Sequence, residues 1–321
     1  MIDPGQLFAA FDASRVLVVG DTIIDVYSYG AAIGLAAETP TIVARRESSK
    51  RMLGGAAFVC RNLVELGAAV EFVTLTGDDE GAATVAEMSS EKLALTALTE
   101  PGRPTTVKHR FWVDGYKILQ LDDRDDRPIS DETAQKVLAA VDARLPTVDS
   151  LIVSDYRHGL LRPDIASRLV DMARVAGKPA YVDSQVAQNQ SNHRDYRGGA
   201  IICLNLKEAR CVAPAFQPTA HPASFVELRD ALEADQIVVK LGEDGAMLFD
   251  GKEVWSAPAR PAQVVDVTGA GDAFLAGLAL TGLAAPLRAL EVANAWAALS
   301  IEIHGTVPPL RQALAEVLTC A

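Results

Sequence analysis

The sequence predicts an α/β protein in which helices cover both faces of a doubly wound, mainly parallel sheet. Three observations lead to this prediction. Short apolar runs, typical of buried parallel strands, recur along the chain. Amphipathic segments with helical spacing alternate with these runs. A glycine or proline stands at many of the boundaries between the two kinds of segment.

The first strand is expected at residues 16–19, and a helix should begin after the pair Gly54-Gly55. Gly67 suits the position just past the end of that helix, where a left-handed backbone is common. A helix over this segment has one apolar and one polar face. The inward face would be Val59, Leu63 and Leu66, and the outward face Arg61, Asn62 and Glu65.

The later elements repeat the alternation. Ser130, followed by two acidic residues, starts a helix that Pro146 stops, because acids favour the positive end of the helix dipole. A strand, a helix from Pro163 to about Gly177 and further strands follow, before two long helices rich in small residues. The strands are expected at 151–153, 180–182, 201–204 and 237–241, and the long helices at roughly 270–283 and 286–303.

Two segments depart from this pattern. Residues 39–46 form an extended run, and residues 107–121 contain two runs around Asp114-Gly115. Asp-Gly between alternating residues is the strongest short signal for a β-hairpin. We therefore expect a small antiparallel β-sheet that stands off the main domain, with an ordinary surface hairpin as the alternative. The chain would then be one domain over 1–321, with this sheet formed by about 26–50 and 104–123.

Composition excludes several classes of function. The 321 residues are 49% hydrophobic and 22% charged, as in folded globular proteins, so disorder is excluded for the bulk of the chain. The 30 basic and 42 acidic residues give a net charge of −12. This balance, with a sequence pI of about 4.9, argues against a nucleic acid partner and against an anionic membrane surface.

The cellular compartment is predicted from sequence features of membrane-spanning, secreted and disulfide-bonded proteins, which we do not find. The apolar, uncharged stretch 273–287 is shorter than the ~18–20 residues that a membrane span needs. Asp3 stands where a signal peptide would carry positive charge. The cysteines show no C-x-x-C spacing, which indicates reduced thiols and a cytoplasmic location. They are Cys60, Cys203, Cys211 and Cys320.

The sharpest motif is the run 266–272, D-V-T-G-A-G-D, which leads directly into an apolar helix. Gly269 and Gly271 permit a tight turn whose backbone N–H groups, with that of Ala270, can bind an anion. A carboxylate beside a phosphate is repelled by it, so Asp272 makes chemical sense if it takes a proton from an attacking hydroxyl. A favourable position on the helix dipole is the alternative explanation of Asp272.

Other phosphate-binding motifs are absent from the sequence. A G-x-G-x-x-G fingerprint fails because Phe274 occupies the place of its last glycine. No G-x-x-x-x-G-K-[ST] run and no protein-kinase motif set occurs. The phosphate site predicted at 269–272 is therefore of another type.

Residues 264–274 resemble the C-terminal signature of the ribokinase-like (PfkB-type) carbohydrate kinases, whose G-A-G-D aspartate is the catalytic base. Gly54-Gly55, before an amphipathic helix, resembles their N-terminal glycine pair. A third motif, N-x-x-E, orders Mg²⁺ and nucleotide phosphates in the family, although alone this pattern is more often a helix cap. Its residues here are Asn205, Leu206, Lys207 and Glu208.

Within that family, the sequence is similar to the D-glycero-β-D-manno-heptose 7-phosphate kinases over about residues 16–308. The similarity rests on 20–30, 38–40, 154–159 and 196–198. It implies transfer of the ATP γ-phosphoryl group to the anomeric hydroxyl of that heptose phosphate. No segment resembles an added nucleotidyltransferase domain, so only kinase activity is implied. The alternatives are a kinase for another sugar, sugar phosphate or nucleoside, and a catalytically dead sugar-binding regulator.

Three departures from the family pattern affect the substrate. Phe58 replaces an asparagine that contacts a sugar hydroxyl, and its ring could face either the sugar cleft or the core. Arg157-His158 replaces Gly-Lys, and Gln185 replaces a lysine after the strand near residue 182. These changes leave the phosphoryl-transfer motifs intact.

The resemblance also implies which further residues would bind the sugar, the metal ions and ATP. Asp21 and Asp25 follow the first strand, where ligands bind in such sheets, although turn capping explains Asp21 equally well. Mg²⁺ would be held through water by Asn205 and Glu208, and a monovalent cation by Asp266. The sugar would be bound by Asp21, Asp25, Gly54, Gly55, Phe58, Arg110 and Tyr156, with Lys108, Arg157 and His158 as further candidates for its phosphate. ATP would contact the N-x-x-E run, Gly242, Thr268 and Asn294.

The small β-sheet is expected to close over the sugar as a lid and to exclude water. Its free strand edges and apolar face predict a homodimer joined through the two lids, because natural proteins commonly protect such edges by pairing. The apolar residues available there are Ile42, Val107, Phe111, Ile118 and Leu119.

Overall fold

The computed structural model describes residues 3–186 and 190–319, which contain two β-sheets and the helices around them. The strands are β1 (Arg15–Gly20), β2 (Thr22–Leu35), β3 (Ile42–Gly55), β4 (Ala69–Thr76), β5 (Leu93–Thr99), β6 (Val107–Val113), β7 (Tyr116–Asp123), β8 (Ser150–Asp155), β9 (Ala180–Ser184), β10 (Ile201–Asn205), β11 (Gln236–Lys240), β12 (Ala246–Phe249) and β13 (Val254–Ala257). The helices are α1 (Pro4–Ala13), α2 (Ala56–Leu66), α3 (Glu80–Ala86), α4 (Asp131–Arg144), α5 (Pro163–Val175), α6 (Leu206–Val212), α7 (Ala223–Leu232), α8 (Ala270–Thr281), α9 (Pro286–Ser300) and α10 (Arg311–Thr319).

The large sheet confirms the predicted doubly wound, mainly parallel architecture. Its nine strands run in the order β13-β12-β11-β10-β9-β8-β1-β4-β5. All neighbours pair in parallel except at one edge, where β12 and β13 are antiparallel. Helices α1, α2, α8, α9 and α10 pack on one face, and α4 to α7 pack on the other.

The two faces of the large sheet explain the uninterrupted apolar runs in the sequence. In β1, Val16 and Val18 belong to the core on one side, and Leu17 and Val19 belong to the core on the other. A strand that is buried on both faces has no solvent side that would require a polar residue.

The second sheet, called the small sheet below, has four strands in the order β3-β2-β6-β7. The hairpin at Asp114-Gly115 is confirmed, and both residues have the positive φ of a type I′ turn, 48° and 82°. The small sheet is mainly antiparallel, as expected, but β2 and β6 pair in parallel. Parallel neighbours need a long crossover, which the chain makes here through α2, β4, α3 and β5.

The parallel strands of the large sheet bring polar residues to one edge. The carboxyl ends of β8, β9, β10 and β11 carry Asp155, Asp183, Asn205 and Lys240. Ligands bind outside this edge in open α/β sheets, so the topology places the candidate site there.

Within the described residues, no helix is both long and apolar enough to cross a bilayer. Cys60, Cys203 and Cys211 are free thiols, and the first two are buried. Cys320 lies outside the described residues.

Helix α2 confirms the predicted inward face but not the whole outward one. Leu63 and Leu66 are buried as expected, and Gly67 ends the helix. Asn62 was expected to face solvent, yet it is completely buried. Its Oδ1 accepts a 2.8 Å hydrogen bond from the indole N–H of Trp296 in α9, and its Nδ2 donates to the carbonyl of Phe58. A polar partner from a distant helix therefore makes a buried asparagine tolerable.

We predict that Asn62→Ala destabilises the protein by about 1–3 kcal/mol, because the buried Trp296 indole N–H loses its acceptor. Urea unfolding followed by tryptophan fluorescence measures the change. Asn62→Ala combined with Trp296→Phe separates the hydrogen bond from the loss of packing: the coupling between the two substitutions should be of the same size. Additive effects would show that the bond contributes nothing.

Candidate active site

The G-A-G-D turn forms the N-terminus of α8, as the sequence predicts. Gly269 caps the helix with φ of 80°, and a Cβ atom at this position would lie 2.4 Å from the ring of Phe58. Only glycine combines this left-handed backbone with so close a contact. The aromatic ring therefore supports the turn from below.

Phe58 is fully buried, so its expected role as a sugar-contacting residue is wrong and the core alternative applies. Because α2 packs beside α8, the ring fills the space under the turn instead of pointing into the cleft.

The hydrogen bonds of the described residues leave three backbone donors available at this turn. The N–H of Ala270 donates to the carbonyl of Val267, whereas the N–H groups of Gly269, Gly271 and Asp272 have no backbone acceptor. Ala270 is therefore the one residue of the predicted anion site whose N–H is already engaged.

Asp272 is nine-tenths buried and lies beside Tyr156, which follows β8. The Tyr156 hydroxyl donates to the Asp272 carboxylate, with both oxygens at 2.8 Å. Burial raises the pKa of Asp272 to about 7, although the tyrosine hydrogen bond opposes the rise. A carboxylate with such a pKa is a better proton acceptor than an ordinary aspartate.

The small sheet contributes Asp25 and Arg110, which form an ion pair with each other. Asp25 is buried against Gly54, where a Cβ atom would lie 2.5 Å from its carboxylate. The guanidinium of Arg110 also lies 5.3 Å from the ring centre of Tyr27. Two predicted sugar-binding residues thus come together, and Gly54 is required by their packing.

Asp21 has the turn-capping role that was the alternative for it. Its carboxylate accepts hydrogen bonds from the N–H groups of Tyr156, at 2.9 Å, and His158, at 3.3 Å. Burial and the nearby Asp155 raise its pKa to about 7. The backbone carbonyl of Asp21 lies 2.4 Å from where a Cβ on Gly55 would stand. These contacts hold the Tyr156 loop in place, and the role of Asp21 in sugar binding stays a prediction.

Asn205 and Glu208 form a capping box at the start of α6. The Asn205 side chain accepts from the N–H of Glu208, and the Glu208 carboxylate accepts from the N–H of Asn205. Glu208 is buried, and burial together with nearby Asp183 raises its pKa to about 7. Leu206 packs on the core and Lys207 faces solvent, so neither side chain contributes to the site.

Sequence reasoning missed the ion pair between Asp183 of β9 and Lys240 of β11. Both side chains are more than four-fifths buried, at the strand ends. The Lys240 ammonium lies 3.4 Å from where a Cβ on Gly271 would stand, so it borders the first turn of α8. A lysine at the end of an apolar run gives no pattern in the sequence that would identify it.

A cavity of about 650 Å³ lies beside the turn and could hold a nucleotide base and sugar. Gly242, Ala270 and Asn294 line it, as do the half-exposed valines 264 and 267. The Asn294 amide donates to the carbonyls of Ala257 and Pro258, so it fixes one wall of the cavity. Two predicted nucleotide residues that are distant in the sequence, Gly242 and Asn294, thus border one space.

Asp266 joins the G-A-G-D turn to the small sheet. Its carboxylate accepts from the N–H groups of Thr268, at 2.9 Å, and Gly305, at 3.0 Å, and it lies 3.3 Å from Nδ1 of His304. The other ring nitrogen of His304 hydrogen-bonds the hydroxyl of Tyr29 in β2. Hydrogen bonds alone thus account for the position of Asp266.

The basic candidates for a sugar phosphate are placed unequally. His158 is buried, and burial together with Lys108 and Arg124 lowers its pKa to about 3, so the ring is neutral. Arg157 reaches the carbonyl of Gln190, at 3.4 Å. Lys108 lies over the ring of Tyr156, with its ammonium 5.8 Å from the ring centre.

No group of three or more metal-ligating side chains occurs in the described parts of the chain. Mg²⁺ in phosphoryl-transfer sites usually needs only one or two carboxylates besides phosphate oxygens and water. The buried carboxylates of Asp272 and Glu208, whose pKa values are raised to about 7 mainly by burial, suit such a cation. The residues present therefore fit the implied metal.

Taken together, a buried carboxylate base, a helix N-terminus with available N–H groups and an adjoining nucleotide-sized cavity define a phosphotransferase that acts on a hydroxyl. A family model described as pfkB family carbohydrate kinase matches residues 13–313, and the chain belongs to this family.

Curated relatives agree with the family. The bifunctional protein HldE of Bradyrhizobium diazoefficiens is 33% identical over 95% of this chain, and that of Nitrobacter winogradskyi is 34% identical over the same share. The chain spans 63% and 64%, respectively, of the length of these two relatives.

Solved structures confirm the fold. Ribokinase from Arabidopsis thaliana, complexed with ribose and ATP, superposes with a TM-score of 0.72 over 95% of this chain and 99% of its own, at 21% identity. Phosphofructokinase-2 from Escherichia coli, in complex with potassium, gives 0.76 over 96% and 98%, at 15% identity.

We predict that phosphoryl transfer rises with pH through about 7, because Asp272 must lose its proton before it can accept another. Tyr156→Phe removes a hydrogen bond that lowers the Asp272 pKa, so the rising limb of the kcat/KM profile should move to higher pH. Asp272→Asn should lose about 10²–10⁴-fold in kcat above pH 7, and its profile should lack the rising limb.

Tyr196→Phe is the matched control, because it removes a buried hydroxyl bonded to another carboxylate, that of Asp155. The rising limb of the kcat/KM profile of this variant should lie at the same pH as that of the unaltered enzyme. Asp272 would not be the titrating base if Tyr156→Phe also left the limb in place.

Proposed function

We propose that this protein is an ATP-dependent kinase of D-glycero-β-D-manno-heptose 7-phosphate, which transfers the γ-phosphoryl group to the anomeric hydroxyl. One kinase domain would carry the reaction, with the small sheet as its lid. The observation that carries the phosphotransfer part is the Tyr156–Asp272 pair at the first turn of α8. The heptose part rests on sequence similarity to HldE proteins and on the motifs after β1 and β8.

In the proposed reaction, the sugar hydroxyl lies against the Asp272 carboxylate and attacks the γ-phosphorus in line. The bond from the acceptor oxygen to phosphorus forms as the bond to the β,γ-bridging oxygen breaks. The proton passes to Asp272, and ADP leaves. The N–H groups of Gly271 and Asp272 stabilise charge on the transferring group.

ATP would lie with its base in the cavity bordered by Gly242 and Asn294 and its phosphates toward α8. Glu208 and Asn205 would hold Mg²⁺ largely through water, and the ion would neutralise phosphate charge. A monovalent cation beside Asp266 and Thr268 belongs to the same proposal.

The small sheet would bind the sugar through Asp25, whose carboxylate can accept hydrogen bonds from hydroxyl groups while Arg110 holds it in place. By covering the acceptor it would keep water from the γ-phosphate and so limit ATP hydrolysis. Lys108, on the same sheet and over Tyr156, would bind the 7-phosphate.

We predict that an ATP-coupled screen finds higher kcat/KM for heptose 7-phosphate than for unphosphorylated heptose, ribose or fructose 6-phosphate. Lys108→Met should raise KM for the heptose phosphate by about tenfold or more, because a charge-assisted contact to phosphate is lost, and should change kcat little.

Lys117→Met removes an exposed lysine of β7 and is the control, with an unaltered KM. A different preferred sugar would reject the heptose assignment and keep the kinase. Absence of ATP turnover with every acceptor would favour a binding protein that has lost catalysis.

We also propose that two copies pair through the small sheets. Exposed apolar side chains and a groove of about 290 Å³ that includes Phe111, Ile118 and Leu119 support this pairing. The two sheets would protect each other's free edges.

Light scattering at micromolar concentration should therefore give twice the 34.1 kDa chain mass. Leu119→Asp should yield monomers, because it places a charge in the apolar contact. Val175→Asp, at an exposed valine of α5, should leave the mass unchanged. A monomeric unaltered protein would contradict the pairing.

A further inference from the structure

Among the described residues, Lys240 is the one strongly buried lysine at the candidate site that forms an ion pair. The proposed reaction gives this lysine no role. It ends β11, two strands away from β9, which supplies its partner Asp183. About 16% of its side chain and 18% of that of Asp183 remain exposed, so the pair can be reached from the cleft.

The position of the ammonium is set by α8 as much as by Asp183. Its nitrogen lies 3.4 Å from where a Cβ on Gly271 would stand, beside the available N–H groups of Gly271 and Asp272. A phosphoryl group bound at those N–H groups would touch the ammonium at the same time.

The charged groups around the Lys240 ammonium favour a cation that can contact a bound phosphate. Asp183, Glu208 and Asp272 contribute carboxylates here, whereas Arg110 of the small sheet is engaged by Asp25. Asp183 and Glu208 keep the pKa of Lys240 raised despite burial, so the side chain remains an ammonium.

We propose that Lys240 is a catalytic residue whose ammonium binds the transferring phosphoryl group at the N-terminus of α8, with Asp183 holding it ready before ATP binds. This rests on the proposed phosphotransferase reaction and adds one participant to it. Lys240 exchanges no proton: the hydroxyl proton still passes to Asp272, and the ammonium stabilises charge as the β,γ-bridging bond breaks.

Lys240→Met should lower kcat for the preferred acceptor by about 10²–10³-fold, which is typical for loss of one donor to a developing oxyanion. The KM for the sugar should change less than threefold. Lys240→Arg should recover part of the loss, because it restores the charge. Lys252→Met, at an exposed lysine between β12 and β13, is the matched control and should retain full activity.

A double variant separates catalysis from charge balance. Lys240→Met alone leaves Asp183 buried without its partner and could unfold the protein. Lys240→Met combined with Asp183→Asn removes both charges, so it should fold, as circular dichroism can show, and remain as slow as Lys240→Met. Recovery of kcat to within threefold of the unaltered enzyme would overturn the proposal, because Lys240 would then serve only to neutralise Asp183.

A binding measurement keeps this test apart from the test of the proposed function. ADP with fluoroaluminate mimics the transferring phosphoryl group, and calorimetry measures its binding without any acceptor turnover. The double variant should bind ADP alone nearly as well as the unaltered protein. The increase in ADP affinity that fluoroaluminate causes should be at least tenfold smaller in the double variant than in the unaltered protein. Equal tightening in both proteins would overturn the role of Lys240, even if no acceptor sugar were phosphorylated by either.

Discussion

The burial of the Asp272 carboxylate against the first turn of α8 is the constraint on which the rest of the site depends. Removing a carboxylate from water is costly unless hydrogen bonds or a raised pKa compensate. Here Tyr156 supplies the hydrogen bond and burial raises the pKa to about 7. Tyr156 in turn needs its loop fixed, which Asp21 does through two backbone N–H groups. Asp21, which follows β1, is thus linked through Tyr156 to Asp272, which lies far away in the sequence.

The two sheets contribute different residues to the candidate site. The large sheet gathers residues from separate strands at one edge because parallel strands end on the same side. The small sheet adds Asp25 and Arg110 from outside that edge. The separation is not complete, because Phe58, a departure from the family pattern, packs under the G-A-G-D turn.

Much of this arrangement could be predicted from the sequence, since apolar runs and glycine turns depend on local chemistry. The strands β1, β8, β9, β10 and β11 of the large sheet, the hairpin at Asp114-Gly115 and the turn at Gly269 belong to this class. What could not be predicted depended on distant partners. Asn62 is buried because Trp296 bonds it, and β2 pairs in parallel with β6 because of the crossover between them. Lys240 could not be recognised because its position against α8 depends on the order of the strands in the sheet.

The contact from Tyr29 through His304 to Asp266 has a mechanical consequence. It fastens a strand of the small sheet to the backbone that leads into Gly269. If the small sheet swings outward, either the tyrosine–histidine bond breaks or the segment around Gly305 is pulled along with it. In both cases the G-A-G-D turn loses part of its support. The position of the small sheet and the order of this turn are therefore coupled.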